Sequence, residues 1–425
     1  MTATNQEQIT VIAPVAAGQL ADLEAALERA GQDPATGLIP FGKIPGVHFA
    51  RLVVIPAFEP AVGPAGPAWL VLLMDCDAPK RGRLRQLVSL SAAGLDDVYR
   101  WCEGYPAEGA RTPAARYAYL RDHQAPTAAV YVNTIGRTVN QIRAEAGLRE
   151  EIEEFLDTRS DWSAMSATGV RSEIQQFLSG RQDLAWALRP EAKASLRWRV
   201  GNKLNLIAGS AVLIALAPVA ILGAIPYAIQ LRRLERSDPA PRITPDEEHS
   251  RRLGEIEDLV SQNQFTAFGE LKDGAFRKYT AIVLLKLINF VARHRFAHGN
   301  LAGVKTIHAA RWVFLDDRRR VVFISNYDGS LENYMDDFID KVAWGLNAVF
   351  SNGKGYPRTR WLIKGGAKDE LAFKSYIRAH QVPSQVWYTA YPDLTALNIE
   401  NNARIRAGLS GDLDEAAAAQ WLKRF

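Results

Sequence analysis

The pattern Arg-x-His-Gln-x-Pro occurs twice, at Arg121 in RDHQAPTAAVYVNTI and at Arg378 in RAHQVPSQVWYTAYP. It belongs to a series of correspondences that run in the same order through both halves. PGVHFARLVVI around His48 answers KTIHAARWVFL around His308. LLMDCDA (72–78) answers FISNYDG (323–329), and EGYP ending at Pro106 answers KGYP ending at Pro357. A helical stretch follows each HQxP segment, RTVNQIRAEAGL in one half and TALNIENNARIRAGL in the other. One matched motif arises easily by chance; five in register mark an internal duplication, which restricts the fold to two copies of one unit.

Each copy reads as β-α-β-β-α-β, the ferredoxin-like order. In the first, ITVIAPV is a strand, and GQLADLEAALERAG a helix with Leu20, Leu23 and Leu27 on one face and Gly31 as its stop. HFARLVVIP and WLVLLMDCD are strands, LVSLSAAGLDDVYRWCEG is helical, and AAVYVNTI is the last strand. The second copy offers QFTAFGELK, a helix over 276–296, IHAARWVFL, RRVVFISNYD, a helix from Ser330 to Phe350 and the strand QVWYTAYP. RTRWLIKGG is an extra short strand. QVWYTAY is apolar on both faces, with Val386, Tyr388 and Ala390 on one and Trp387 and Tyr391 on the other. The expected fold is therefore α+β: two tandem ferredoxin-like repeats packed sheet to sheet, with an apolar membrane insertion between them. The divisions are a first repeat over 1–148, a helical linker over 149–203, a membrane-inserted segment over 204–231, a charged linker over 232–258 and a second repeat over 259–425.

LNLIAGSAVLIALAPVAILGAIPYAIQL, from Leu204 to Leu231, contains no charge. About 20 apolar residues suffice to cross a bilayer. A core helix, a single span and a kinked re-entrant or monotopic insertion turning near Pro218 are the three readings. Basic residues lie at both ends, including Arg197, Arg199 and Lys203 before and Arg232, Arg233 and Arg236 after. Cationic flanks favour the cytoplasmic side, and a single span would separate two halves that belong together. The re-entrant or monotopic form is preferred, with both repeats on the cytoplasmic face of a membrane. The basic-ended, apolar-centred stretch from Phe276 to Phe296 reads as a core helix or an interfacial one.

A net charge of +4 on 425 residues gives no support to nucleic-acid binding. Two cysteines, Cys76 and Cys102, form neither a disulfide framework nor a zinc motif. The N-terminal MTATNQEQITVIAPV lacks the basic and apolar regions of a secretory signal. No Walker A, dinucleotide-binding or GxSxG motif is present. His294 and His298 are spaced i, i+4, as a metal pair would be, with dipole complementation at a helix end as the plainer role.

The order and duplication of these elements resemble the dimeric α/β-barrel superfamily, and the tandem arrangement is similar to dye-decolorizing peroxidases and chlorite dismutases, which are haem proteins. Ser325-Asn326-Tyr327-Asp328-Gly329 comes close to the GxxDG motif of the former, with Ser in place of the first Gly and in the second repeat rather than the first. The resemblance implies haem as cofactor and an oxidoreductase of peroxidase type, acting near the membrane on a lipid or other apolar substrate. Asp328 would be the distal acid–base group, with Asn326 on the same strand face. Arg358 or Arg360 would stabilise developing negative charge. His308 or His380 would be the proximal ligand, His308 being the metal-ligand choice.

Duplication also separates candidates without any alignment. Features shared by both copies, such as His48/His308, Arg51/Arg311 and HQxP, build the unit. Features of one copy, among them Arg358, Arg360, Trp387 and Tyr391, are better placed to touch a ligand. Two other functions stay open: a non-enzymatic lipid-binding or membrane-scaffold protein that has lost the cofactor, and a cofactorless oxygenase or isomerase. The expected partners are the bilayer and an apolar small molecule or lipid, with homo-oligomerisation left open.

Overall fold

A computed structural model describes residues 6–58, 65–191, 194–239, 243–296, 301 and 303–425. His298, half of the histidine pair noted above, lies outside the described residues. The strands are β1 (Gln6–Pro14), β2 (Val47–Ile55), β3 (Trp69–Asp77), β4 (Thr127–Val132), β5 (Gln262–Glu270), β6 (Ile307–Leu315), β7 (Arg320–Asp328), β8 (Thr359–Arg360), β9 (Lys364–Gly365) and β10 (Val386–Thr389). The helices are α1 (Leu20–Gly31), α2 (Lys80–Leu90), α3 (Ala92–Tyr99), α4 (Pro113–Asp122), α5 (Val139–Asp157), α6 (Ala167–Gly180), α7 (Leu196–Ser237), α8 (Glu247–Gly254), α9 (Ala275–His294), α10 (Leu331–Phe350), α11 (Glu370–His380), α12 (Ala396–Leu409) and α13 (Glu415–Leu422).

The chain is mixed α and β, and its sheets are antiparallel. One four-stranded sheet has the order β1-β3-β2-β10 and the other β5-β7-β6-β4. The fourth strand of each sheet thus comes from the other half: β4 pairs with β6, and β10 with β2. The HQxP segments are where the chain leaves its own sheet. Gln124 makes a bridge to Val11 of β1, Ala125 donates its N–H to Thr10, and pairing then stops at Pro126, which has no N–H to give. Gln381 and Val382 repeat this against β5, bridging Ala267 and donating to Thr266, before Pro383. The histidine steadies the turn: Nδ1 of His123 donates to the Tyr119 carbonyl and Nδ1 of His380 to that of Tyr376, both at 2.8 Å, with each ring against its tyrosine.

All nine residues of β2 are buried, because one face meets helices and the other meets the second sheet. Val53, Ile55, Val71 and Leu73 from the first sheet and Val313, Leu315, Val322 and Ile324 from the second share one apolar layer. Helices α5, α6, α12 and α13 carry a satellite core beside the sheets, including Leu148, Ile152, Ile174, Ile405 and Trp421. The stretch read as a helical linker is therefore largely packed structure. RTRWLIKGG is not a strand of a main sheet but two two-residue strands joined by residues 361–363, of which Trp361 and Leu362 are at positive φ.

The apolar run does not turn at Pro218. It lies in α7, 42 continuous residues through both Pro218 and Pro226, about 60 Å long at 1.5 Å per residue. Each proline removes one backbone hydrogen bond, while a reversal would orphan a whole turn of donors and acceptors. Ala217 and Val219, flanking Pro218, have no polar side chain to satisfy them. This helix is long and apolar enough to cross a membrane.

Helix α7 touches the body along α9 and, near its C-terminal end, at the 359–362 turn. Tyr227 stacks on Phe276, its hydroxyl lies 3.3 Å from that of Thr280, and Gly209 faces the Phe290 ring. Asn202 accepts from Arg293, and Asn205 lies 2.9 Å from the His294 ring nitrogen. Ile214, Leu222 and Ile225, away from these contacts, are each more than 70% exposed.

Candidate functional site

Each half carries a buried His–Asp pair at the mouth of a helix. In the first half, His48 Nε2 lies 3.1 Å from Asp77 Oδ1, and Asp77 Oδ2 accepts the Val139 N–H at the start of α5. In the second, His308 Nε2 lies 2.6 Å from Asp328 Oδ1, and Asp328 Oδ2 accepts the Ala396 N–H at the start of α12 at 2.7 Å. A carboxylate among the unpaired N–H groups of a helix start meets the positive end of its dipole. These pairs therefore fasten the helix that follows each exchanged strand.

Tyr391 links the two pairs. Its hydroxyl lies 2.9 Å from His48 Nδ1, its ring is edge-on to His48, and it also meets His308 at 6.3 Å between ring centres, with Phe49 packed edge-on against both at 5.6 and 5.5 Å. Burial, and then the charges of Asp75, Asp77 and Asp328, push the Tyr391 phenol far above its ordinary range. It therefore keeps its proton, and its hydroxyl faces His48 Nδ1.

Asn326 and Trp387 meet at a second cluster between the sheets. Arg51 crosses from β2 to donate to the Phe265 carbonyl, the Thr266 hydroxyl and the Ser325 carbonyl, all at 2.9 Å, and to Asn326 Oδ1. Trp387 Nε1 donates to the same Asn326 oxygen at 3.3 Å. Arg311 crosses the other way to Ile9, Thr10 and Asp75. Where the first half has Asp75 the second has Asn326, so two buried guanidiniums share one carboxylate. Burial, with Arg311 nearby, pushes Arg51 down to about 9, which still leaves it charged at neutral pH. The cavity here is only about 10 Å³, roughly one water.

Asp328, Asn326, His308, Trp387 and Tyr391 are thus brought to the region between the sheets. Arg358 and Arg360 are not. Arg358 donates to the Asp238 carbonyl, and Arg360 lines an open groove with Trp361, Ile229, Arg232, Arg233 and Arg236 at the end of α7. The physical reason is Glu235, which binds the 359–362 turn to α7. His380 is also elsewhere, beside a cavity of about 30 Å³ between β5 and α11, where burial pushes its imidazole below the ordinary range.

These residues do not fit a haem. The ring nitrogen of His308 that faces Asp328 is engaged, and the histidine is 3% exposed. His380 has about 30 Å³ beside it, against the several hundred that ligand pockets offer. Among the described residues, a cavity of about 290 Å³ between α9 and α10 has more room, but no His, Cys, Met or Tyr lines it. Space and iron ligands are in different places.

Sequence reasoning missed that cavity. It also missed a cluster of Glu332, Asp336 and Glu370 on α10 and α11, whose carboxylates lie close enough to hold a metal. The Lys374 ammonium already sits among them, at 2.5, 2.6 and 2.6 Å.

No protein-family model matches the chain, and no curated protein matches it.

Proposed function

We propose that the chain is a monotopic membrane protein, built of two ferredoxin-like repeats, that holds lipid at one face of a bilayer rather than carrying haem. The strand exchange carries this reading. Residues 127–132 precede α7 and complete the second sheet; residues 386–389 follow it and complete the first. A single crossing would put about 30 Å of hydrocarbon between strands that are hydrogen-bonded to each other's sheets. Both ends of α7 therefore belong on one side. A helix that is apolar all round then sinks along its length into the acyl region of one leaflet. Arg197, Arg199 and Lys203 at one end and Arg232, Arg233 and Arg236 at the other suit headgroups on that side, and the positive charge favours the cytoplasmic one. Trp344 and Trp361, 55% and 41% exposed, suit the headgroup boundary.

Haem peroxidase chemistry has less support, because the cavity with room lacks a ligand and the histidines lack room. An oxygenase or isomerase without cofactor would need Asp328 and an arginine facing a shared substrate space, and Arg358 and Arg360 lie with α7 instead.

The variants Leu196→Cys and Ser237→Cys test the topology in sealed vesicles with an impermeant maleimide. Labelling of both from the same side is expected; labelling from opposite sides overturns the monotopic reading. Absorption of the purified protein after haem supplementation tests the alternative. A Soret band lost in His308→Ala or His380→Ala would restore the peroxidase.

A further inference from the structure

The cavity between α9 and α10 measures about 290 Å³, and its walls include Leu284, Ile288 and Val291 on one side and Phe338, Val342 and Leu346 on the other. The space opens to the surface, and leaving so much apolar wall uncovered in water is unfavourable. Water would need polar partners that these side chains do not offer. At Val342 the helix departs from helical geometry, with φ −137° and ψ 22°, so α10 bends where it lines the space.

The cavity opens at the surface of the molecule. Leu287, Val291 and Trp344 line the cavity and are also 37%, 36% and 55% exposed. Phe290, on the same helix, lies against Gly209 of α7. The turn of α9 that supplies Val291 and Ala292 to the wall also carries the exposed cation Arg293, and Arg295 follows it. An apolar slot, an opening beside an apolar helix and cations next to the opening together describe the two ends of an anionic amphiphile.

We propose that this cavity takes a single acyl chain, from a free fatty acid or an anionic phospholipid, with the charged end left at the basic turn of α9. The proposal rests on the membrane reading above.

The test uses the full-length protein and two probes: 9,10-dibromostearate, and phosphatidylglycerol vesicles whose acyl chain carries the same bromines. Bromine quenches nearby tryptophans, and Trp312 and Trp344 line the cavity. Gly345 also lines it, and a Cβ added there meets no atom within 4 Å, so Gly345→Leu fills the space without a clash at its root. Saturable quenching of the wild type is expected, at least tenfold weaker in Gly345→Leu and less weakened in Gly345→Ala, which adds one methyl. Whichever probe quenches identifies the source of the chain. Equal quenching in wild type and Gly345→Leu, or none in the wild type, overturns the proposal; should Gly345→Leu not fold, unaltered quenching in Gly345→Ala together with no rise in wild-type Tm on adding stearate does the same. Flotation of both proteins with vesicles is read separately, and its failure would count against the membrane reading, not the cavity.

Discussion

Glu235 of α7 accepts the backbone N–H of Leu362 at 2.8 Å, across 127 residues of chain. The same carboxylate, on a residue only 1% exposed, takes the Trp361 N–H at 2.9 Å and the Thr359 hydroxyl at 3.3 Å and pairs with Arg232. Trp361 and Leu362 have φ of 57° and 61°, a region that disfavours side chains, so the turn depends on what holds it. Glu235→Ala leaves several buried donors unpaired and is expected to cost about 3 kcal/mol. Chemical denaturation in detergent measures this, and limited proteolysis should then cut within 359–363. A loss below about 0.5 kcal/mol, the range of an ordinary surface change, would show that Glu235 holds nothing.

Asp77 and Asp328 play the same part in the two halves, so Asp77→Ala and Asp328→Ala are expected to destabilise alike, by about 2 kcal/mol each. A catalytic Asp328 would behave differently, with activity lost and stability kept. Parallel denaturation curves for the two variants separate these outcomes.

His380 gives the fold an acid-sensitive point. Its folded pKa lies below the unfolded value because burial penalises the charged ring more than the Tyr376 carbonyl supports it. The unfolded state therefore binds the proton more readily. Stability from this group is fully present above the unfolded pKa of about 6.5 and is lost as pH falls through that value toward the folded pKa. Melting temperature against pH should fall below about 6.5 in the wild type, and less steeply in His380→Asn. Superimposable pH profiles would remove this group from the account.

Cys76 and Cys102 are buried, and burial pushes both thiols up to about 12. Neither should react with maleimide at neutral pH until the protein unfolds, which keeps the background low for the labelling of Leu196→Cys and Ser237→Cys. Rapid modification of native wild type would show that β3 or the segment after α3 opens.

Some of this architecture is legible in the residues themselves. The apolar character of both faces of QVWYTAY indicates a strand covered on two sides, and the matched series around His48 and His308 indicates two like units. Nothing in that pattern says which sheet Trp387 and Tyr391 join, because alternation reports faces and not neighbours. Pro126 and Pro383 mark where pairing with the home sheet ends, a signal visible only once HQxP is known to lie beside β1 and β5. Arg358 and Arg360 are separated from Asp328 by a contact with Glu235 that no local spacing reveals. The α9–α10 cavity follows from a bend at Val342, in a stretch whose periodicity reads as an unbroken helix.

The exchange of β4 and β10 also bears on synthesis. The first sheet lacks its edge strand until residues 386–389 leave the ribosome, some 255 residues after the chain has made β4 for a partner that does not yet exist. Within that interval the α7 segment emerges and β5, β6 and β7 complete the second sheet around β4, while the first stays open at β2. A stop codon between β7 and β10 therefore leaves the second sheet whole and the first with β2 as an open edge, whereas one before β5 leaves β4 with no sheet to join.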